Sequence, residues 1–146
     1  MDLTELLKNR ASVRSFDPNG TIAETDVQRI FETAQRAPTS FNLQAYSYVL
    51  VTDPDRKSVI ADLAENQPFI KDAALFALVC ADLSRLQKVN QLTGREFELG
   101  HYFESTLLAI VDASLSAQVA AITAESLGYG VCMIGGVRAN PEEIAR

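Results

Sequence analysis

The chain has 146 residues, 47% hydrophobic and 22% charged, which suits one globular domain with a core and excludes a disordered segment or two comfortable domains. Thirteen basic residues against 19 acidic ones leave a net charge of −6, which argues against nucleic acid or an anionic membrane as the main partner. The opening Met1-Asp2-Leu3-Thr4-Glu5 lacks the basic region and apolar core of a signal peptide, and the longest unbroken apolar run, Ala73 to Ala81, is about half a membrane span, so a cytoplasmic protein is expected.

Leu3, Leu6 and Leu7 give a first short helix its apolar stripe, ending near Arg10. Thr21-Ile22-Ala23-Glu24 reads as a capping box, and Val27, Ile30, Phe31 and Ala34 then recur at helical spacing up to about Ala37, where Pro38 stops the helix. Tyr46 to Thr52 is rich in β-formers and predicts a mostly buried strand. Asp53-Pro54 supplies an N-cap and a first-turn proline for a helix through about Glu65. Ala74 to Ala81 predicts a second strand, bounded by Asp82 as a cap.

Residues Glu96 to Leu127 read as one long apolar helix, ending at Gly128 in the C′ position and needing cover on most sides, part of it from a partner chain. Val131-Cys132-Met133-Ile134 follows as a strand or extended connection, leading into Gly135-Gly136. The alternation of helices and strands implies an α/β or α+β sandwich in a single domain over residues 1–146. Asn140-Pro141-Glu142-Glu143 forms a complete helix start, and the chain reaches only Arg146 beyond it; the expectation is a C-terminally incomplete chain.

Chemistry is sparse. No G-x-G-x-x-G after a strand, P-loop, H-E-x-x-H or nucleophile elbow is present. The sole histidine, His101, has no partner for a metal site or a triad, and is read as structural or surface. Cys80 and Cys132 lack metal or redox spacing and sit in apolar stretches, which predicts buried free thiols. Asp82 and Asp112 read as a cap and a polar point on the long helix, not as a catalytic dyad. No catalytic side chain and no metal ligand is assigned, which leaves a cofactor to carry any difficult chemistry.

Three clusters remain. Arg10 and Arg14, with Ser12 between them, suit either the negative end of the first helix or a bound phosphate. Thr39, Ser40 and Asn42 form a polar turn that could cap local backbone or face a ligand. Gly135-Gly136 could be a plain turn or a close backbone approach.

Taken together and in this order, Arg-x-Ser-x-Arg, Pro-Thr-Ser-x-Asn-x-Gln before the first strand, and Ile-Gly-Gly after the long helix resemble the FMN-dependent nitroreductase and flavin reductase family. Glu125-Ser126-Leu127-Gly128 with Ile134-Gly135-Gly136-Val137-Arg138 is most similar to its NADPH-preferring, oxygen-insensitive subgroup. The resemblance implies an α+β fold, a three-layer α/β/α sandwich in an intertwined homodimer, with FMN at the subunit interface. It implies that Arg10, Ala11, Ser12 and Arg14 contact FMN through its phosphate, ribityl chain and pyrimidine edge, and that Gln67 bonds the pyrimidine. Ser40 and Asn42 of the partner subunit would line the other side of the flavin. Ile134, Gly135 and Gly136 would lie at its reactive edge, the glycines offering backbone donors near N5, with Arg138 meeting the NADPH phosphate or an anionic substrate. The family's further C-terminal strand, its Lys-x-Arg segment and its wrapping arm have no counterpart in these 146 residues.

The implied activity is ping-pong transfer of electrons from NADPH, or NADH, to nitroaromatics, quinones or free flavin. A chain without the tail could instead be a catalytically incompetent dimerising module, and a related flavin chemistry on the same scaffold is a third reading.

Overall fold

The computed structural model describes residues 2–94 and 102–146. The chain divides into two compact units. One comprises Met1–Gln28, Leu50–Ala77 and Ala124–Arg146, the other Arg29–Val49 and Leu78–Thr123.

In the first unit, α1 (Leu3–Asn9) starts where the Asp2 carboxylate accepts the Glu5 N–H at 2.9 Å. α2 (Glu24–Ala34) opens in this unit. The capping box at Thr21 is not formed: the Ala23 carbonyl already accepts from Asp26 and Val27, so Thr21 stands outside the first turn. Glu24 and Asp26 instead place charge at the positive end of the helix.

α3 (Pro54–Leu63) begins as its sequence dictates, with Pro54 in the first turn and Asp53 Oδ1 accepting the Arg56 N–H at 2.8 Å. Its Ile60 and Ala61 are buried with Ile70 of α4 (Phe69–Asp72), a single turn that periodicity does not reveal. Lys57 is buried too, its ammonium donating to the Ala73 carbonyl at 2.6 Å.

The second unit packs small residues closely. Its long helix, α6 (Phe103–Ser126), buries Ala109, Asp112, Ala113, Ser116 and Ala121 on one face. The Ser116 hydroxyl shares a hydrogen bond with the Tyr48 hydroxyl at 2.7 Å and lies 3.2 Å from the Ala34 carbonyl, to which it can donate. Tyr48 in turn meets Phe31 edge to face at 4.9 Å and Tyr46 at 5.9 Å. The other side of α6 leaves Phe103, Leu107, Ile110, Val111 and Leu115 exposed. With 24 residues and a mean hydropathy of 1.7 over its most apolar stretch, α6 is long and apolar enough to cross a membrane, as no unbroken apolar run predicted. The expected helical residues Glu96 to His101, and His101 itself, lie outside the described residues.

β1 (Tyr46–Val51) and β2 (Phe76–Ala81) pair as a two-stranded sheet, and the Asp82 N–H bonding the Ala45 carbonyl at 2.9 Å sets them antiparallel in full register. Among the described residues, residues 131–134 form no strand; they run as the extended connection that the sequence also allowed. α5 (Ser84–Thr93) follows β2, with Asp82 Oδ1 accepting the Ser84 N–H at 2.9 Å. The Ser84 bonds hold the Asp82 carboxyl below its ordinary range. Cys80 and Cys132 are free thiols but half-buried, not fully buried as their apolar surroundings in sequence predict, since apolar neighbours in the chain do not by themselves cover a side chain.

α6 closes as Gly128 predicts. The Tyr129 N–H bonds the Ala124 carbonyl at 3.1 Å and the Gly128 N–H bonds Glu125 at 3.0 Å, a Schellman pair with Gly128 at φ 93°. α7 (Pro141–Ile144) is one turn. Asn140 sits at its N-cap position, but its side chain does not cap it; the amide donates to the Leu63 carbonyl at 2.7 Å, tying this segment to the end of α3.

Candidate functional site

A cavity of about 530 Å³ opens in the first unit where three segments meet. Arg14 comes from the extended stretch after α1. That stretch is pinned by the Val13 N–H to the Val131 carbonyl at 3.0 Å, and Val13 packs so closely on Gly130 that a Cβ there would touch its side chain at 3.0 Å. Glu65 and Gln67 come from the turn leaving α3. Glu65 and Asn66 both adopt left-handed backbone, φ 62° and 56°, which lets the Gln67 N–H fold back onto the Ala61 carbonyl at 2.9 Å. Met133, Ile134, Gly135, Gly136, Arg138 and Ala139 complete the wall.

The two glycines serve different ends. Gly136 begins a short 3-10 turn, Gly136–Arg138, pressed against the end of α3, so that a Cβ would lie 2.5 Å from the Ala64 carbonyl oxygen and 2.6 Å from Gln67 Nε2. Gly135 has ordinary backbone, φ −103°, and there the space of a Cβ is taken by the Arg138 guanidinium folded over it. Close approach to backbone, not left-handed geometry, is what Gly136 requires, whereas at Gly135 the flexible Arg138 side chain could move aside.

The charged groups on the wall are two guanidiniums and the Glu65 carboxylate, and the Gln67 amide adds a neutral donor and acceptor. Such a wall favours a ligand with carbonyl or phosphate oxygens, and the volume falls within the usual range for cofactor pockets of about 300–1,000 Å³. The donor set therefore fits the pyrimidine edge and an anionic group of FMN.

Of the expected site residues, Arg14, Gln67, Ile134, Gly135, Gly136 and Arg138 share this wall. Arg10, Ala11 and Ser12 do not line it. Arg10 is the C-cap of α1, with its guanidinium 3.7 Å from Oε1 of Glu125, a largely buried carboxylate whose Oε2 has no hydrogen-bond partner among the described residues. Ser40 and Asn42 belong to the second unit, in a 3-10 turn, Ser40–Asn42. Three residues escaped the sequence reading as lining groups: Glu65, Met133 and Ala139. Asp112 also did more than its sequence promised. It is not a mere polar point on a helix but 1% exposed, with Oδ1 accepting the Ser40 N–H at 3.0 Å and Oδ2 the Ala45 N–H at 3.3 Å.

The chain is a helix-rich α+β fold whose cavity presents cationic, amide and close-packed glycine groups. The nitroreductase family profile matches residues 7–145, and the chain belongs to that family. It is 40% identical over 141 residues to a Cr(VI) reductase of Pseudomonas sp. strain G-1, covering 97% of this chain and 57% of that protein. It is 39% identical over 135 residues to an FMN reductase (NADPH) of Bacillus subtilis, covering 92% and 54%. Among solved structures, the NfrA1 nitroreductase of B. subtilis superposes with a TM-score of 0.95 at 35% identity, over 99% of this chain and 58% of that one. The NADPH:FMN oxidoreductase of Vibrio harveyi complexed with NAD+ superposes with a TM-score of 0.89 at 30% identity, over 97% and 59%. The chain thus spans a little over half the length of these relatives.

Proposed function

We infer that this chain belongs to an FMN-dependent NAD(P)H oxidoreductase, acting on nitroaromatics, quinones or free flavin. The observation that carries the reading is the gathering of Arg14, Gln67, Gly135, Gly136 and Arg138 on one cavity wall. These are residues that the family resemblance assigns to the cofactor and substrate, drawn from three distant stretches of the chain. When bound, FMN would accept a hydride from NAD(P)H and pass the electrons on.

The protein's own part is binding and orientation. Arg14 and Gln67 offer charged and amide donors to a carbonyl-bearing ring edge. Gly136 lets backbone approach where a side chain would not fit, and Gly135 leaves room for the Arg138 guanidinium folded over it. Arg138 supplies a cation for a phosphate or an anionic acceptor, and the relative named Cr(VI) reductase makes chromate an oxyanion worth adding to the acceptors tested. Arg10 would join the phosphate side by leaving Glu125, together with Ala11 and Ser12, and Ser40 and Asn42 would act from the partner subunit. Residues 1–146 are taken as one domain, since a single family profile runs across both units. The exposed stripe Phe103, Leu107, Ile110, Val111 and Leu115 supports a homodimer, because apolar area of this kind is costly to leave in water. A cytoplasmic location is proposed with it.

The test is the visible spectrum of the purified chain reconstituted with FMN, then treated anaerobically with NADPH. A yellow protein whose flavin bands bleach is the expected result. A chain that takes up no FMN overturns the enzymatic reading and leaves the dimerising module in its place.

A further inference from the structure

We propose that Asp112 is the positioning residue for the turn that carries Ser40 and Asn42, holding both ends of it so that these two side chains are presented to the flavin. The proposal rests on the FMN reading above and deepens it, because Asp112 belongs to no binding motif and touches no wall of the cavity.

The turn is costly to hold. Phe41, Asn42 and Gln44 all adopt left-handed backbone, with φ of 50°, 56° and 51°. Asparagine tolerates that region, but a bulky side chain such as Phe is a genuine outlier there. Phe41 gains nothing locally in return, since it is 93% exposed. Outliers of this kind persist where the surroundings over-determine them, and they cluster at ligand clamps.

The over-determination has an identifiable source. Both carboxylate oxygens of Asp112 are used, Oδ1 on the Ser40 N–H at the start of the turn and Oδ2 on the Ala45 N–H just past its end. From the solvent side, the Arg85 guanidinium donates to the Gln44 carbonyl at 2.5 Å. One buried side chain therefore spans the turn, and an exposed one braces it. The chemistry needs two acceptors on one rigid plane. An Asn at 112 has one oxygen, and its amide hydrogens would face a backbone N–H, donor against donor.

The experiment compares the wild-type chain with Asp112→Asn, Arg85→Gln and Ser116→Ala. Ser116 is equally buried on α6 but bonds Tyr48 and Ala34 instead of the turn, so it reports what loss of a buried polar group does by itself. Two quantities are read at equal folded fraction. One is the FMN dissociation constant, from quenching of FMN fluorescence. The other is the initial rate of chymotryptic cleavage after Phe41, which needs no flavin.

The expected result for Asp112→Asn is FMN binding weakened at least tenfold and cleavage accelerated several-fold. Arg85→Gln moves both the same way by a smaller factor, and Ser116→Ala moves neither beyond twofold. Cleavage equal to wild type in Asp112→Asn overturns the clamp. Faster cleavage with an unchanged dissociation constant overturns its role toward the flavin. If Asp112→Asn does not fold, Arg85→Gln decides, and wild-type values there overturn the proposal. A wild-type chain that binds no FMN overturns the flavin reading itself, while the cleavage rates still decide whether Asp112 holds the turn.

Discussion

Gly136 and Ala64 are in direct backbone contact: a Cβ on residue 136 would stand 2.5 Å from the Ala64 carbonyl oxygen. A carbonyl at the end of a helix cannot swing aside as a side chain can. Gly136→Ala is therefore expected to push the cavity's third segment off α3 and to cost about 1–3 kcal/mol. Urea unfolding measures this. A loss below about 0.5 kcal/mol would mean that the contact relaxes freely.

Gly128 makes the contrasting case. Nothing lies within 4 Å of a Cβ built there, yet its φ is 93°. Gly128→Ala should cost about 1–2 kcal/mol from backbone conformation alone, with Asn less damaging than Ala. A thermal melt of both variants shows this ordering, and equal melting temperatures would refute it.

Arg10 and Lys8 each pair with a glutamate, but in different surroundings. The Lys8–Glu5 pair is 69% and 55% exposed, the Arg10–Glu125 pair 24% and 9%. Removing Lys8 should change stability by less than about 0.5 kcal/mol. Arg10→Ala leaves the Glu125 carboxylate desolvated beside no cation, for an expected loss of about 1–3 kcal/mol. Similar losses in the two variants would show that Glu125 reaches water.

Alkaline pH should weaken the fold through two phenols. Burial pushes the Tyr48 hydroxyl above its ordinary value of 10.0, more than its Ser116 bond lowers it, and the bond to the Asp26 carboxylate raises Tyr129. A group whose folded pKa lies above its unfolded one stabilises fully below the unfolded value and loses that contribution as pH rises through the folded one. Stability should therefore decline above pH 10, and more gently in Tyr48→Phe and Tyr129→Phe. Denaturant midpoints between pH 8 and 11 test it; parallel curves for all three proteins would contradict the assignment.

How much could be read in advance depended on how local the cause was. Asp53-Pro54 and Gly128 announced their helix ends because the capping atoms belong to the same few residues. α4 did not, since it is a single turn, whereas the start of α5 was announced by Asp82, whose Oδ1 accepts the Ser84 N–H. Thr21 carried a capping signal that the chain does not use, and residues 131–134 had strand character without a neighbouring strand among the described residues. On the cavity wall, Arg14, Gln67 and the glycines belong to the stretches that carry the family resemblance. Glu65 on that wall and Asp112 away from it do not, because their parts depend on a helix end and on backbone groups 67 and 72 positions away.

The bond from Val13 to Val131 has a consequence for synthesis. At about 5–20 residues per second, the ribosome finishes Val131 roughly 6–24 seconds after Val13. Through that interval a nascent chain holds Arg14, and later Gln67, with no opposing wall. Helices can form as they emerge, but the cavity cannot. Any grip on a small molecule at this place is an event that follows translation of the region, up to Ala139 at the far end of the wall.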